Sequence, residues 1–233
     1  MTDTIPRNPA STFDAFVVSE SSHEAIAAAF AVAENPGNAA HNPLFIYGRA
    51  GSGKSHLLHA IAHAIQSRHA RTRVMHLAAE AFITRLVGAI RTDEVRAFRR
   101  SIATLEVLLL DDLPCAPGRE STLEEIFRGL EESSANGVQV VVTCEVPPST
   151  LVARSRPFLE RALVVEVGYP DPLARVEIAR RTAEMRHVAL SDDVLRYVAE
   201  NLTGSPREIQ SVIARIAAES TLSGLGANGL AIP

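Results

Sequence analysis

The sequence predicts an α/β fold: a three-layer parallel sheet carrying a phosphate-binding loop, followed by a small C-terminal all-helical subdomain. Three observations carry that prediction. First, Leu44-Phe45-Ile46-Tyr47 runs into Gly48-Arg49-Ala50-Gly51-Ser52-Gly53-Lys54-Ser55 and then into a helix-like stretch, which is the P-loop pattern G-x-x-x-x-G-K-[ST]. Second, short continuous apolar runs of the kind buried on both sheet faces alternate with helical stretches. Third, beyond Pro170 the strands stop and only helical periodicity continues.

Taken in order, residues 1–12 read as a flexible lead-in, with Pro6, Asn8, Pro9 and Ser11. The nucleotide-binding α/β subdomain spans 13–170. An alanine-rich helix over 22–34 starts on serines and is broken by Asn35-Pro36-Gly37. Strands are expected at 44–47, 73–77, 105–110, 138–143 and 163–167. Between them helices are expected at 55–67, at 79–100 in two pieces broken near Thr92-Asp93, and at 122–134. A turn at Asn136-Gly137 precedes the fourth strand. The helical subdomain spans 171–221, with helices at 171–186, 191–201 and 205–220. Ser191 and Ser205 suit N-caps, and Pro206 suits the first helical position. The glycine-rich residues 222–233 read as a frayed tail.

Composition narrows the function classes. A hydrophobic content of 46% with 21% charged residues describes a globular protein. The net charge of −4 leaves any nucleic-acid contact to a local patch. Tryptophan is absent, so base-stacking platforms are not suggested. Cys115 and Cys144 lack metal-ligand spacing and read as free thiols of a cytoplasmic protein. No apolar run reaches membrane-spanning length, and the polar start Met1-Thr2-Asp3-Thr4 is not a secretory signal.

The chemistry concentrates at the loop. Of 23 basic residues, Lys54 is the single lysine. The chain uses arginine everywhere else and keeps a compact, flexible ammonium where a phosphate loop needs one. Glycines allow the backbone to wrap an anion, and the following helix aims its positive end at it. Lys54 would reach the β- and γ-phosphates, and the Ser55 hydroxyl would ligate Mg²⁺. Leu108-Leu109-Leu110-Asp111-Asp112 is an apolar strand ending in two acids, as a Walker B site requires. Asp111 would hold the metal shell, and Asp112 would orient or deprotonate water. Thr143-Cys144-Glu145 ends the next strand, where a polar side chain could sense the γ-phosphate. Arg154, Arg156, Arg161 and Arg207 are available to neutralise transferring phosphoryl charge.

Two further clusters stand out. Arg85, Arg91, Arg96, Arg99 and Arg100 gather with only Asp93 and Glu94 nearby in sequence. They make a basic helical face suited to sequence-blind phosphate contact with single-stranded DNA. His56, His59 and His63 share a helix face but lack the further ligands of a metal site.

The wording Asn42-Pro43-Leu44-Phe45-Ile46-Tyr47-Gly48, Lys54-Ser55-His56-Leu57-Leu58-His59-Ala60-Ile61, Leu109-Leu110-Asp111-Asp112 and Pro170-Asp171-Pro172-Leu173-Ala174-Arg175 resembles the AAA+ ATPase domains of the bacterial replication initiators of the DnaA family. So do Thr12-Phe13-Asp14-Ala15-Phe16-Val17-Val18 and Pro206-Arg207-Glu208-Ile209. The similarity covers residues 10 to 225. It implies a slow, switch-like ATPase that uses ATP, ADP and Mg²⁺ and assembles through ATP. The implied nucleotide-binding residues are Phe16, Val17 and Val18 near adenine, then Gly48, Ala50, Gly51, Ser52, Gly53, Lys54, Ser55 and His56. Glu145 falls on the sensor position that the family gives to aspartate. Arg207 falls on the lid arginine. Arg156 falls on the arginine finger that reaches a neighbour's ATP, with Arg161 competing because Pro157 interrupts the family's word. The arginine face at 85–100 corresponds to helices that line a single-strand channel in the initiators. Ser19 and Ser22 depart from the family's glycine and asparagine. The sequence ends before the family's helix-turn-helix domain and shows no N-terminal helicase-loading domain, so it reads either as a truncated initiator or as a stand-alone relative. That leaves three readings: an initiator-type module, a stand-alone regulator resembling Hda that controls an initiator's nucleotide without binding DNA, or a helicase loader.

Overall fold

The structure, a computed structural model, describes residues 10–114, 120–151, 155–202 and 204–223. The expectations placed on residues 1–9, on Cys115 and Arg154, and on 224–233 lie outside the described residues. Of the described residues, one compact unit holds 10–16, 24–49 and 54–167, and a second holds 17–23, 50–53 and those from 168 onward.

The first unit is built on a five-stranded parallel sheet of order β2-β3-β4-β1-β5, with β1 Leu44–Tyr47, β2 Val74–Ala78, β3 Val107–Leu113, β4 Gln139–Cys144 and β5 Leu163–Glu166. Strand side chains alternate between faces, and the two sheet faces show it. Leu44, Ile46, Val107, Leu109, Val141 and Val165 pack with α1 (His23–Glu34) and α2 (Lys54–Arg68). Phe45, Leu108, Leu110, Val140 and Val142 pack on the other side, with α3 (Ala79–Arg91), α4 (Val95–Ala103), α5 (Glu120–Ala135) and α6 (Arg156–Arg161). These strands are apolar at nearly every position because both of their faces are covered.

The break between α3 and α4 falls at Asp93, which adopts φ 57°. Gly137 at φ 86° makes the turn into β4. Three features differ from the sequence expectation. The strand expected to end at 110 continues through both acids to Leu113. The short helix α6 lies outside the expected elements, because six residues carry too little periodicity of their own. It is anchored tertiarily by Phe158, which is buried against Phe127 with ring centroids 5.5 Å apart. Finally, the expected tail at 222 begins within a helix that runs to Ser223.

The second unit packs α7 (Pro172–Met185), α8 (Asp192–Asn201) and α9 (Pro206–Ser223) around Ile178, Ala179, Leu195, Val198, Ile209 and Ile213. Asp171 caps α7 by accepting from the Ala174 N–H at 2.9 Å. Arg175 braces the bundle, donating from Nε to Ala199 O at 2.7 Å and from Nη1 to Pro170 O at 3.1 Å. Val17 packs against this core.

Candidate functional site

In an open parallel sheet the strand C-termini line the ligand crevice, at the point where strand order reverses. Here β1 is flanked by β4 and β5, while the next strand in sequence, β2, lies at the far edge. The C-terminus of β1 leads into residues 48–55. The C-terminal residues of β3 and β4 supply Asp111, Asp112 and Thr143, and Glu145 follows β4 directly.

Lys54 opens α2 and is only 6% exposed. Its Nζ donates to Gly48 O at 2.6 Å and to Arg49 O at 3.0 Å, across the loop's own carbonyls. Burial pulls the ammonium below its ordinary value. The carboxylates of Glu145, Asp112 and Asp111 oppose that shift, in that order of strength. All three predicted acids therefore act on the predicted cation. The Oγ1 of buried Thr143 joins two of them: it donates to Asp111 Oδ1 at 2.7 Å and accepts from the Asp112 N–H at 2.7 Å.

The loop suits a phosphate chain on two grounds. Gly51 and Gly53 adopt φ 73° and 116°, which side-chain-bearing residues rarely do. A Cβ on Gly51 would lie 2.8 Å from Ser205 Oγ and 3.2 Å from Arg207 Cβ. Secondly, Ser52 is buried, and its Oγ has no hydrogen-bond partner among the described residues. A buried unpartnered hydroxyl in a glycine-rich turn ahead of a helix N-terminus is a place for an anion's oxygens. In the second unit the same Gly51 contact sets Arg207 beside the loop tip, and Tyr169 Oη donates to Ala50 O at 3.2 Å.

The other predicted residues fall as follows. His56 Nε2 donates to Thr12 O at 2.7 Å, and its ring meets the Phe16 ring edge-on at 5.3 Å. Burial holds its pKa below the usual histidine value. Of the residues placed near adenine, Phe16 thus packs on α2, Val17 enters the helical core, and Val18 is 47% exposed. Ser19 and Ser22 are tied to one another through their hydroxyls at 3.0 Å. Ser55 follows Lys54 in the first turn of α2. Arg156 and Arg161 are both exposed, at the two ends of α6. Cys144 is buried, and its Sγ donates to Leu113 O at 3.7 Å.

The arginine face needs a correction. The sequence shows only Asp93 and Glu94 close by, but folding brings α5 against α4. Arg99 then pairs with Glu125 at 2.7 Å and with Glu132 at 3.4 Å. Arg91, Arg96 and Arg100 are exposed, and Arg85 is half-buried.

Sequence reasoning missed the bonding of Thr143, whose signal is a lone hydroxyl in an apolar strand. It also missed a histidine pair. His76 on β2 is 2% exposed, with its ring centroid 4.6 Å from that of His59. Burial first, then the neighbouring His59, pushes His76 down to about 4, against the attraction of Asp111. Among the described residues no group of three or more acidic, histidine or cysteine side chains is arranged to hold a metal ion. None of their helices is long and apolar enough to cross a membrane.

Comparison with known proteins agrees with this architecture. The family model of the bacterial DnaA ATPase domain matches residues 7–165. The chromosomal replication initiator protein DnaA of Caldanaerobacter subterraneus subsp. tengcongensis is 39% identical over 219 residues, covering 93% of this chain and 49% of that protein. The chain thus spans about half the length of the curated relatives it matches. Among solved structures, domain III of the Thermotoga maritima replication initiation protein DnaA superposes with a TM-score of 0.85 at 32% identity, covering 94% of this chain and 92% of that one. A replication initiator DnaA bound to AMPPCP and single-stranded DNA superposes with a TM-score of 0.79 at 26% identity, covering 94% and 69%. The parallel sheet, the glycine loop ahead of Lys54, the paired acids ending β3 and these matches lead to one assignment: the chain belongs to the bacterial DnaA ATPase domain family.

Proposed function

We propose that this chain binds ATP with Mg²⁺ and hydrolyses it slowly, as a nucleotide switch in the initiation of DNA replication or its regulation. The observation that carries the reading is the glycine loop itself, with the buried Lys54 ammonium laid across its carbonyls and an unpartnered Ser52 hydroxyl, next to the strand ends that carry Asp111, Asp112 and Glu145. Lys54 holds two loop carbonyls, and it would exchange them for β- and γ-phosphate oxygens. Ser55 and Asp111 would hold the metal. Mg²⁺, when bound there, would neutralise phosphate charge. Asp112 would orient the attacking water and take its proton, while Arg207, beside Gly51, would report the nucleotide to the helical unit. Glu145 would occupy the sensor position.

Assembly and DNA contact belong to the same reading. Arg156, exposed at the start of α6, would reach a neighbouring subunit's ATP, with Arg161 as the competing finger. The exposed Arg91, Arg96 and Arg100 would grip the backbone of single-stranded DNA, and the relative bound to AMPPCP and single-stranded DNA supports that role. The setting would be the cytoplasm. Equilibrium binding of a fluorescent ATP analogue with Mg²⁺ tests the core of the reading. The wild-type chain should bind and Lys54→Ala should bind far more weakly; equal affinity of the two would refute it.

A further inference from the structure

The two acids ending β3 are consecutive, and a regular strand would send them to opposite faces. Residue 112 would then follow Leu108 and Leu110 into the apolar cluster packed with α3 and α5. Leu113 takes that place instead. Between Leu110 and Leu113 β3 advances three residues, while β4 advances two, from Val142 to Cys144. This is a β-bulge with one extra residue on β3, and Asp112 adopts φ 60° within it. The bulge keeps a carboxylate out of the core, but it also interrupts the ladder. Thr143 is the single β4 residue opposite the extra length. It has no exposed surface, and its one hydroxyl bonds both the Asp112 N–H and Asp111 Oδ1, each at 2.7 Å.

We infer that Thr143 is a positioning residue for the two-acid site: its hydroxyl locks the β3 bulge and fixes the Asp111 carboxylate, so that consecutive acids serve one site. The locked amide is the one that breaks strand geometry, and the fixed carboxylate is the one assigned to the metal. A valine has the same shape and neither hydrogen bond. This inference rests on the reading of Asp111 as a Mg²⁺ ligand, whereas the bulge lock itself is a property of the nucleotide-free chain.

The test compares Thr143→Val, Thr143→Ala and Thr143→Ser with the wild type. Amide exchange at Asp112, measured by NMR without nucleotide, should be slow in the wild type and the serine variant and fast in the other two. Mn²⁺ titration of the ADP-bound chain, followed by electron paramagnetic resonance, should show half-saturation shifted upward by about 10- to 100-fold in the valine and alanine variants. The serine variant should stay near wild type. Affinity for ADP in EDTA should not change in any of them. Unchanged Mn²⁺ half-saturation in the valine and alanine variants would overturn the assignment. A serine variant as impaired as valine would overturn it too, because the methyl group and not the hydroxyl would then matter. If valine and alanine both fail to fold while serine folds, Thr143 is structural and the positioning role is lost. A wild-type chain that ignores ADP and Mn²⁺ would defeat the ATP reading instead, and the exchange at Asp112 would still decide the lock.

Discussion

At the scale of single residues, the site depends on a few groups held away from their solution behaviour. Lys54 contributes charge-assisted bonds from a buried position. Lys54→Ala should weaken ATP by about 10- to 100-fold, the worth of one such contact, as read by equilibrium titration. Gly51 is closed to side chains by its φ of 73° and by Ser205 Oγ. Gly51→Ala should lower thermal stability as well as nucleotide affinity, measured by melting and titration. His76 gives a pH prediction. Its folded pKa of about 4 lies below the ordinary histidine value of 6.5, so the unfolded chain binds the proton more readily. Its contribution is complete above pH 6.5, falls as the pH drops toward 4 and is flat below that. The loss amounts to about 3 kcal/mol at most. Denaturant unfolding between pH 7 and 4 should show this slope, and His76→Phe should flatten it.

At the scale of elements, local signals succeeded where one segment carries its own instructions. The strand Leu44–Tyr47 has the expected bounds because a four-residue apolar run between Pro43 and Gly48 leaves little latitude. The N-cap Asp171 is equally local. Asp171→Ala should cost about 1 kcal/mol, measured by urea unfolding, and should leave β1 to β5 intact. The misses belong to elements whose stability comes from elsewhere. Helix α6 stands on the buried Phe158 side chain, because six residues alone are too short to hold a helix in water. The extension of β3 through Asp111 and Asp112 needs a hydroxyl from β4. No window of β3 alone contains it.

At the scale of the whole molecule, ligand and salt are the levers. ATP with Mg²⁺ at a hundredfold excess over Kd should stabilise the chain by about 2.7 kcal/mol and raise its melting temperature by roughly 5–10 °C. Lys54→Ala at the same ATP concentration should cut that rise by about half or more. Single-stranded DNA binding should weaken linearly with the logarithm of salt. Arg96→Ala and Arg100→Ala should each reduce the slope by about 0.7. Arg99→Ala should change it less, because Glu125 and Glu132 already neutralise that guanidinium. Filter binding across a salt series reads all three variants.

The sequence by itself determined the α/β class, the glycine loop with its single lysine, the paired acids and the helical run after Pro170. Each is written in consecutive residues whose backbone preferences and periodicity act locally. Only the tertiary structure decided which side chains meet. It brought Glu125 and Glu132 to Arg99, set His59 against His76, placed Ser205 and Arg207 at Gly51, and made Thr143 the partner of both acids. These contacts join residues far apart along the chain. They depend on strand order and register, which follow from the burial of all the apolar faces at once and are not encoded in any one segment.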